Sequence, residues 1–390
     1  MSTHSPTRIA LTNNRMMYSN SRKGSRLSDG FSLVEIMVAV AIALIGIVVI
    51  FQVLQIWEER KRTTSSGSDA QITGSIAIFN LDRDIKQAGY GIGMATNMGC
   101  LVNAYDTQRG TPAFTFRLYP VEIVDGASGA PDTIRVLYGT SNSYVANQAF
   151  TTSSATTKKA LVRSGFNKGD LVIVSSGAGM TATCHMVEIT DNTNADALTF
   201  DHVSAVTYTN YLSQSITARY NNPAGTGTTF SSGNLQNLGP GNLTAGTAQA
   251  TPRWNTWSIS SNKALTWSDG LHDATTSSEI AEGIVNLQAQ YGVDADSNNQ
   301  IASTEWAVTT PTDWTKVRAV RVGLLARSQQ YEKLAVTTTA PSWAGGSFTM
   351  FNVDGTTDTT PGDANDWRHY RYRVYEKVIP LRNVIWGTAP

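Results

Sequence analysis

The chain has 390 residues, 41% of them hydrophobic and only 15% charged, with Lys+Arg and Asp+Glu equal at 30 each. That length allows a substantial core and two or three domains, and the charge balance sets up no global field to attract nucleic acid. Low charge, together with abundant Ser, Thr, Asn and Gly beyond an early apolar run, indicates an extracytoplasmic β-rich protein.

The first 30 residues are hydrophilic and basic. Arg8, Arg15, Arg22, Lys23 and Arg26 face a lone Asp29. An apolar run, Phe31 to Trp57, then begins at Gly30-Phe31-Ser32-Leu33-Val34-Glu35 and carries one charge, Glu35. As a helix it reaches about 40 Å at 1.5 Å per residue, more than the roughly 30 Å of a hydrocarbon core. The mixed cluster Glu58, Glu59, Arg60, Lys61 and Arg62 closes it. The basic bias before the run places the leader in the cytoplasm and the remainder outside. The run is too long, and its glycine too early, for a conventional secretory signal. A carboxylate in lipid costs about 2.5–3.5 kcal/mol on insertion scales, so Glu35 calls for a partner.

This order of glycine, aromatic start, glutamate and long apolar run resembles the class III signal of type IV prepilins. The resemblance implies cleavage by prepilin peptidase between Gly30 and Phe31, N-methylation of Phe31, and an assembly role for Glu35. In that family the glutamate meets the amino terminus of a neighbouring subunit. The bland alternative is a signal anchor with a chance glutamate.

Residues 58–90 read as an amphipathic continuation of the helix and a linker. Ile78, Leu81, Ile85 and Ala88 form one stripe at helical spacing, with Asp82, Arg83, Asp84 and Lys86 on the polar side. Gly89 supplies a stop. The Ser/Thr/Gly-rich stretch Thr63 to Ser68, and the glycines Gly67 and Gly74, predict a bend, fraying or a break. Gly46 marks either close helix packing or a second soft point.

Beyond Tyr90 the pattern changes to strands and turns. Phe114 to Val124, Thr133 to Tyr138, Leu171 to Val174 and Met186 to Thr190 are short β-branched or aromatic runs bounded by turn residues. The stretch from about 210 to 250 is poor in aliphatics and predicts a long loop or a mobile, low-complexity insertion. In the last third, Val320, Val322, Leu324 and Ala326 alternate with Arg321, Gly323, Leu325 and Arg327, and Tyr370, Tyr372 and Val374 alternate with Arg371, Arg373 and Tyr375. These predict half-buried antiparallel strands with a basic, solvated outer face.

Four segments resemble the PilW branch of type IV minor pilins: Leu81 to Tyr90, Ile284 to Gly292, Val317 to Leu324, and Tyr372-Arg373-Val374-Tyr375 through Val378 to Asn383. The resemblance implies an α+β, pilin-like fold, with a long amino-terminal helix packed on an antiparallel β-sheet-rich domain over residues 91–390. It implies major and minor pilins, prepilin peptidase and the inner-membrane assembly platform as partners. It also implies a single-pass inner-membrane precursor that ends in a surface pilus, serving assembly initiation or a tip complex, and hence adhesion and twitching motility. The competing readings are a minor pseudopilin of a type II secretion system and a membrane-anchored lectin or hydrolase.

Cys100 and Cys184 in an oxidising compartment read as one disulfide, against two unpaired thiols. Asp294, Asp296, Asn298, Gln300 and Glu305 match the spacing of a calcium loop, with Asn299 where the pattern wants Gly; the alternative is a polar hairpin loop. Calcium is thus the one candidate cofactor, and none is required. The oxygen-rich stretch Asp354 to Asp358, with Asp363 and Asp366, reads as a solvated loop. His4, His185, His202, His272 and His369 sit in no catalytic motif, so an enzyme is not expected. The tryptophans Trp254, Trp257, Trp267 and Trp306 read as core or interface anchors rather than a stacking platform.

Overall fold

The computed structural model describes residues 30–92, 97–142, 147–191, 196–226, 230, 232–356 and 366–387. The leader before Gly30, and Asp358 and Asp363, lie outside them. Contacts divide the chain into a unit ending at Arg60 and a unit beginning at Lys61.

Helix α1 spans Leu33–Ile85, 53 residues without proline. It runs through Thr63 to Ser68 and through Gly46 unbroken, so the expected break is absent. Each Ser, Thr or Gly costs at most about 1 kcal/mol of helix propensity, and propagation from two helical flanks outweighs that. Further along, Thr73 and Ser75 return their hydroxyls to the carbonyls of Asp69 and Gln71, at 2.9 and 2.8 Å, which leaves the helical ladder intact. Gly89 adopts φ +81° and donates its N–H to Leu137 O at 2.9 Å, turning the chain away from the helix.

The strands that follow are β1 (Leu101–Tyr105), β2 (Ala113–Arg117), β3 (Val121–Val124), β4 (Thr133–Tyr138), β5 (Gln148–Ser153), β6 (Thr157–Ala160) and β7 (Asp170–Ser176). Then come β8 (Thr183–Glu188), β9 (Thr199–Asp201), β10 (Thr207–Thr209), β11 (Ser215–Thr217), β12 (Gly233–Pro240), β13 (Arg253–Ile259) and β14 (Ala264–Asp269). The last are β15 (Asp273–Glu282), β16 (Ile284–Val293), β17 (Trp306–Ala307), β18 (Val317–Arg327), β19 (Ser342–Trp343), β20 (Gly346–Ser347) and β21 (Tyr372–Pro380), before a short helix α2 (Arg382–Gly387).

Among the described residues the strands form three larger sheets and two small ribbons. The eight-stranded sheet has the order β2-β1-β8-β7-β12-β5-β6-β9, the five-stranded sheet β15-β14-β13-β4-β3, and the four-stranded sheet β17-β16-β18-β21. Pairing is antiparallel except between β1 and β8. The architecture is α+β and pilin-like: an amino-terminal apolar helix followed by an antiparallel, strand-rich domain.

At its central strand β7 the eight-stranded sheet is buried on both faces. Leu171 and Ile173 of β7 point into the main core, while Val172 and Val174 enter a second cluster with Phe150, Phe200 and Leu235. Alternation of side chains across a strand makes both faces apolar, which explains the uninterrupted apolar run.

The 210–250 region departs from expectation. β12 lies inside the eight-stranded sheet, between β7 and β5. Its polar residues hid it: Gln236 Nε2 donates to Asn97 Oδ1 at 3.2 Å, and Asn237 Nδ2 to Asp170 Oδ2 at 2.8 Å. The preceding β10–β11 ribbon is tied down by buried Glu188. That carboxylate accepts from Tyr208 Oη at 2.5 Å, Asn242 Nδ2 at 2.8 Å and the Arg219 and Tyr220 amides. Phe114 to Val124 likewise splits into β2 and β3, because Pro120 between them has no N–H for a ladder.

Candidate functional site

The amino-terminal helix starts at a local cap. The carbonyl of Ser32 accepts from the amides of Glu35 at 3.0 Å and Ile36 at 3.1 Å, and the helix follows from Leu33. Glu35 sits in the first turn, where the exposed amide dipoles favour an anion. Leu33–Glu58, 26 residues, is long and apolar enough to cross a membrane. Every residue from Phe31 to Glu58 is exposed, Phe31 at 78% and Trp57 at 70%. Such a continuous apolar surface requires lipid or protein to cover it.

The far end of α1 is built differently. Ala70, Gly74, Ala77, Leu81, Asp84, Ile85 and Ala88 are buried at helical spacing, with Ile78 partly buried beside them. Asp82 and Asp84 therefore do not belong to a solvated face, contrary to the sequence reading. Asp84 receives Trp257 Nε1 at 2.6 Å and Asn255 Nδ2 at 2.8 Å, both from β13. Burial pushes its carboxyl above the ordinary range, and these two donors pull against that push. Asp82 pairs with Lys86 at 2.8 Å and with Lys377 of β21 at 3.1 Å. Burial works to raise its carboxyl, but the two ammonium groups prevail and hold it low.

β21 and α2 complete the seat. Tyr375 donates its hydroxyl to Gln71 O at 2.9 Å, and its ring fills the space over Gly74. Asn383 Nδ2 donates to Gln87 O at 3.2 Å and Ala88 O at 3.1 Å, just past the helix end.

Part of this seat falls within a segment that a family model matches. The family model described as type IV pilus-assembly protein W matches residues 257–383, and that of the prokaryotic N-terminal methylation motif matches residues 25–51. The two matched segments are similar to those of a type IV minor pilin of the PilW family. No curated protein and no solved structure gives a significant match. The methylation-motif match contains Gly30, Phe31 and Glu35. The PilW match contains Trp257, Tyr375, Lys377 and Asn383, so the matched carboxy-terminal region is also the region that grips the helix.

Cys100 and Cys184 are bonded, with S–S 2.00 Å and Cα–Cα 6.2 Å. Cys184 lies on β8, and Cys100 directly precedes β1, its parallel neighbour. Both are fully buried in the main core.

Of the five residues in the calcium-loop pattern, three carboxylates converge. One oxygen from each of Asp294, Asp296 and Glu305 lies within 4.8 Å of the others. Asn298 stays beside Asp296, donating Nδ2 to its Oδ2 at 2.8 Å, and Asn298 Oδ1 accepts the Gln300 amide at 2.7 Å.

Of the basic face expected on β18 and β21, Arg371 and Arg373 are exposed as expected, whereas Arg321 and Arg327 of β18 are half-buried under aromatic rings. Arg321 stacks over Trp306 at 4.7 Å and Trp343 at 5.5 Å, and Arg327 over Tyr370 at 4.6 Å. Trp254, Trp257 and Trp267 belong to the main core or pack against it. Three of the four described histidines sit in local structural bonds: His272 Nδ1 with Asp269 at 2.9 Å, His369 Nδ1 with Glu332 O at 2.7 Å, and His202 Nε2 with Lys158 Nζ at 2.9 Å; the fourth, His185, packs its ring 6.0 Å from that of Phe230. Lys158 is buried, which lowers its ammonium pKa to about 8.

Sequence reasoning missed Asp84 as a buried ligand of β13. The signal was its spacing: Ala77, Leu81, Asp84 and Ala88 alternate by four, three and four, which places Asp84 on the inward stripe.

Proposed function

We propose that this chain is a minor pilin, cut between Gly30 and Phe31, methylated at Phe31, and held as a precursor by one inner-membrane span with its leader in the cytoplasm. It then packs Phe31 to Trp57 into a pilus, at an initiating or tip complex with other pilins, and so serves adhesion and twitching motility. The observation that carries this reading is Glu35, the one charge on a fully exposed apolar helix, five residues after the matched glycine. Lipid gives a lone carboxylate no partner, whereas the new amino terminus of a neighbouring subunit supplies a cation in low dielectric. Apolar packing gains little by leaving lipid for protein, so this ion pair and close packing carry the specificity. The seat supports the reading too: residues 70–88 are committed to the globular domain, while the apolar stretch remains free to engage other helices.

The test is incorporation. Glu35→Ala in the full chain should be cleaved normally yet be depleted from sheared pili, and Gly30→Ala should remain an uncut precursor. Normal abundance of the Glu35→Ala protein in pili would sink the proposal. Deletion should abolish filaments and twitching while leaving secretion intact; the reverse pattern would identify a secretion pseudopilin instead.

A further inference from the structure

The loop that leaves β16 brings three carboxylates together on a strand end. Asp294 follows Val293 directly, and its amide is tied to Lys316 O at 2.9 Å. The Asp294 side chain is fully buried. Its Oδ2 accepts the Asn299 amide at 3.1 Å and faces Arg318 at 3.3 Å, but its Oδ1 is buried with no hydrogen-bond partner. An unsatisfied carboxylate oxygen inside a protein is costly, and here it belongs to a group whose neighbours are two more carboxylates.

The rest of the loop matches what a hard dication needs. Calcium loops place oxygen ligands at the first, third, fifth, seventh and twelfth positions, with a sharp turn at the sixth. Asp294, Asp296, Asn298, the Gln300 carbonyl and Glu305 occupy those positions, and Asn299 takes φ +64° at the sixth. Glu305 folds back over the loop, its two oxygens accepting the amides of Ala295 and Ala302, each at 2.8 Å. A carboxylate has further lone pairs beyond those two bonds, so both oxygens stay able to ligate.

We propose that Asp294, Asp296, Asn298, Gln300 and Glu305 form a calcium site. It is independent of the pilin reading, since it rests on the loop alone. Two cations temper its strength: Arg318 faces Asp294, and Lys316 Nζ donates to Ala295 O at 2.7 Å. Three carboxylates opposed by two cations place the site at the weak end of the calcium range, about 10⁻⁴–10⁻³ M, as in extracellular modules.

The experiment uses the full-length protein in detergent, stripped with EGTA and titrated with calcium chloride or magnesium chloride. Unfolding temperature is one readout. Terbium emission sensitised by Trp306, adjacent to Glu305, is the second. Calcium should raise the unfolding temperature and magnesium should not; terbium should emit and be displaced by calcium. Asp296→Ala removes an exposed ligand without disturbing the buried pair. It should unfold as the parent does in EGTA, yet need on the order of tenfold more calcium or beyond. Glu305→Gln keeps one acceptor oxygen, for only one of the two amides, so its unfolding temperature in EGTA should fall somewhat, and it should show the same loss of calcium response. A native protein with neither response, or a calcium shift that survives unchanged in both variants, would overturn the site.

Discussion

Trp257 Nε1 donates to Asp84 Oδ2 at 2.6 Å, across 173 residues of sequence. With Asn255 on the same carboxylate at 2.8 Å, it fastens α1 to β13 inside the core. Neither donor is charged, so the bond sets rotation and register of the helix rather than neutralising an ion. Sliding the helix by one residue would leave the carboxylate and both donors buried and unpaired.

Asp84→Ala should therefore destabilise the protein by about 2–4 kcal/mol, because two buried donors lose their acceptor. Asp84→Asn, which keeps one acceptor oxygen, should cost less. Urea denaturation of the detergent-solubilised protein measures both, and an unaltered Asp84→Ala midpoint would refute the fastening.

Gly74 lies under Tyr375. A Cβ built there comes 2.1 Å from Tyr375 Cε2, and the ring is held by its hydroxyl on Gln71 O. At an exposed helical site Gly→Ala gains about 1 kcal/mol; here overpacking should cost about 1–3 kcal/mol and reverse the sign. Tyr375→Ala added to Gly74→Ala should recover the clash component. Stabilisation by Gly74→Ala alone would show that the ring simply moves aside.

The disulfide closes a separation of 84 residues. The chain-entropy model assigns such a loop about 4–5 kcal/mol. Cys100→Ser with Cys184→Ser, or reduction, should lower the unfolding free energy by most of that, and the midpoint with it. Equal midpoints with and without reductant, once mass spectrometry shows the thiols are free, would contradict it.

Asp132 and Asp170 should shape the pH dependence. Burial pushes both carboxyls up to about 6, against their amide and side-chain donors. Asp170 Oδ2 accepts from the Asn167 amide and Asn237 Nδ2, each at 2.8 Å. Between about pH 4 and pH 6 the folded state holds protons that the unfolded chain has released. Their contribution is full below about pH 4 and lost as pH rises through 6. Asp170→Asn should then flatten the rise in stability seen on lowering the pH from about 7 to about 5. An unchanged slope would assign the titration elsewhere. Asp82, Asp106 and Asp269 act in the opposite sense, since their lowered carboxyls contribute above the unfolded value and lose it in stronger acid.

Much of the fold was legible locally. Thr133 to Tyr138 forms β4 over the residues its pattern marks, and Leu81, Ile85 and Ala88 are buried as their spacing predicts. Illegible features depended on partners distant in the chain. β12 carries Gln236 and Asn237 at buried positions, which read as loop until Asn97 and Asp170 satisfy them. Gly74 read as a weakness until Tyr375 gave it a reason. The Thr63 to Ser68 stretch read as a break because propensities were weighed singly, whereas helix formation is cooperative.

The amino acids in order were sufficient for the anchor: a basic leader, a glycine, an aromatic start, a lone glutamate and an apolar run are local features, and lipid judges them by composition and length. Only the tertiary structure decided how the helix is held and that both cysteines sit in the main core. Those outcomes depend on distances between residues far apart in sequence, where desolvation makes each unpaired polar atom expensive and thereby selects one arrangement.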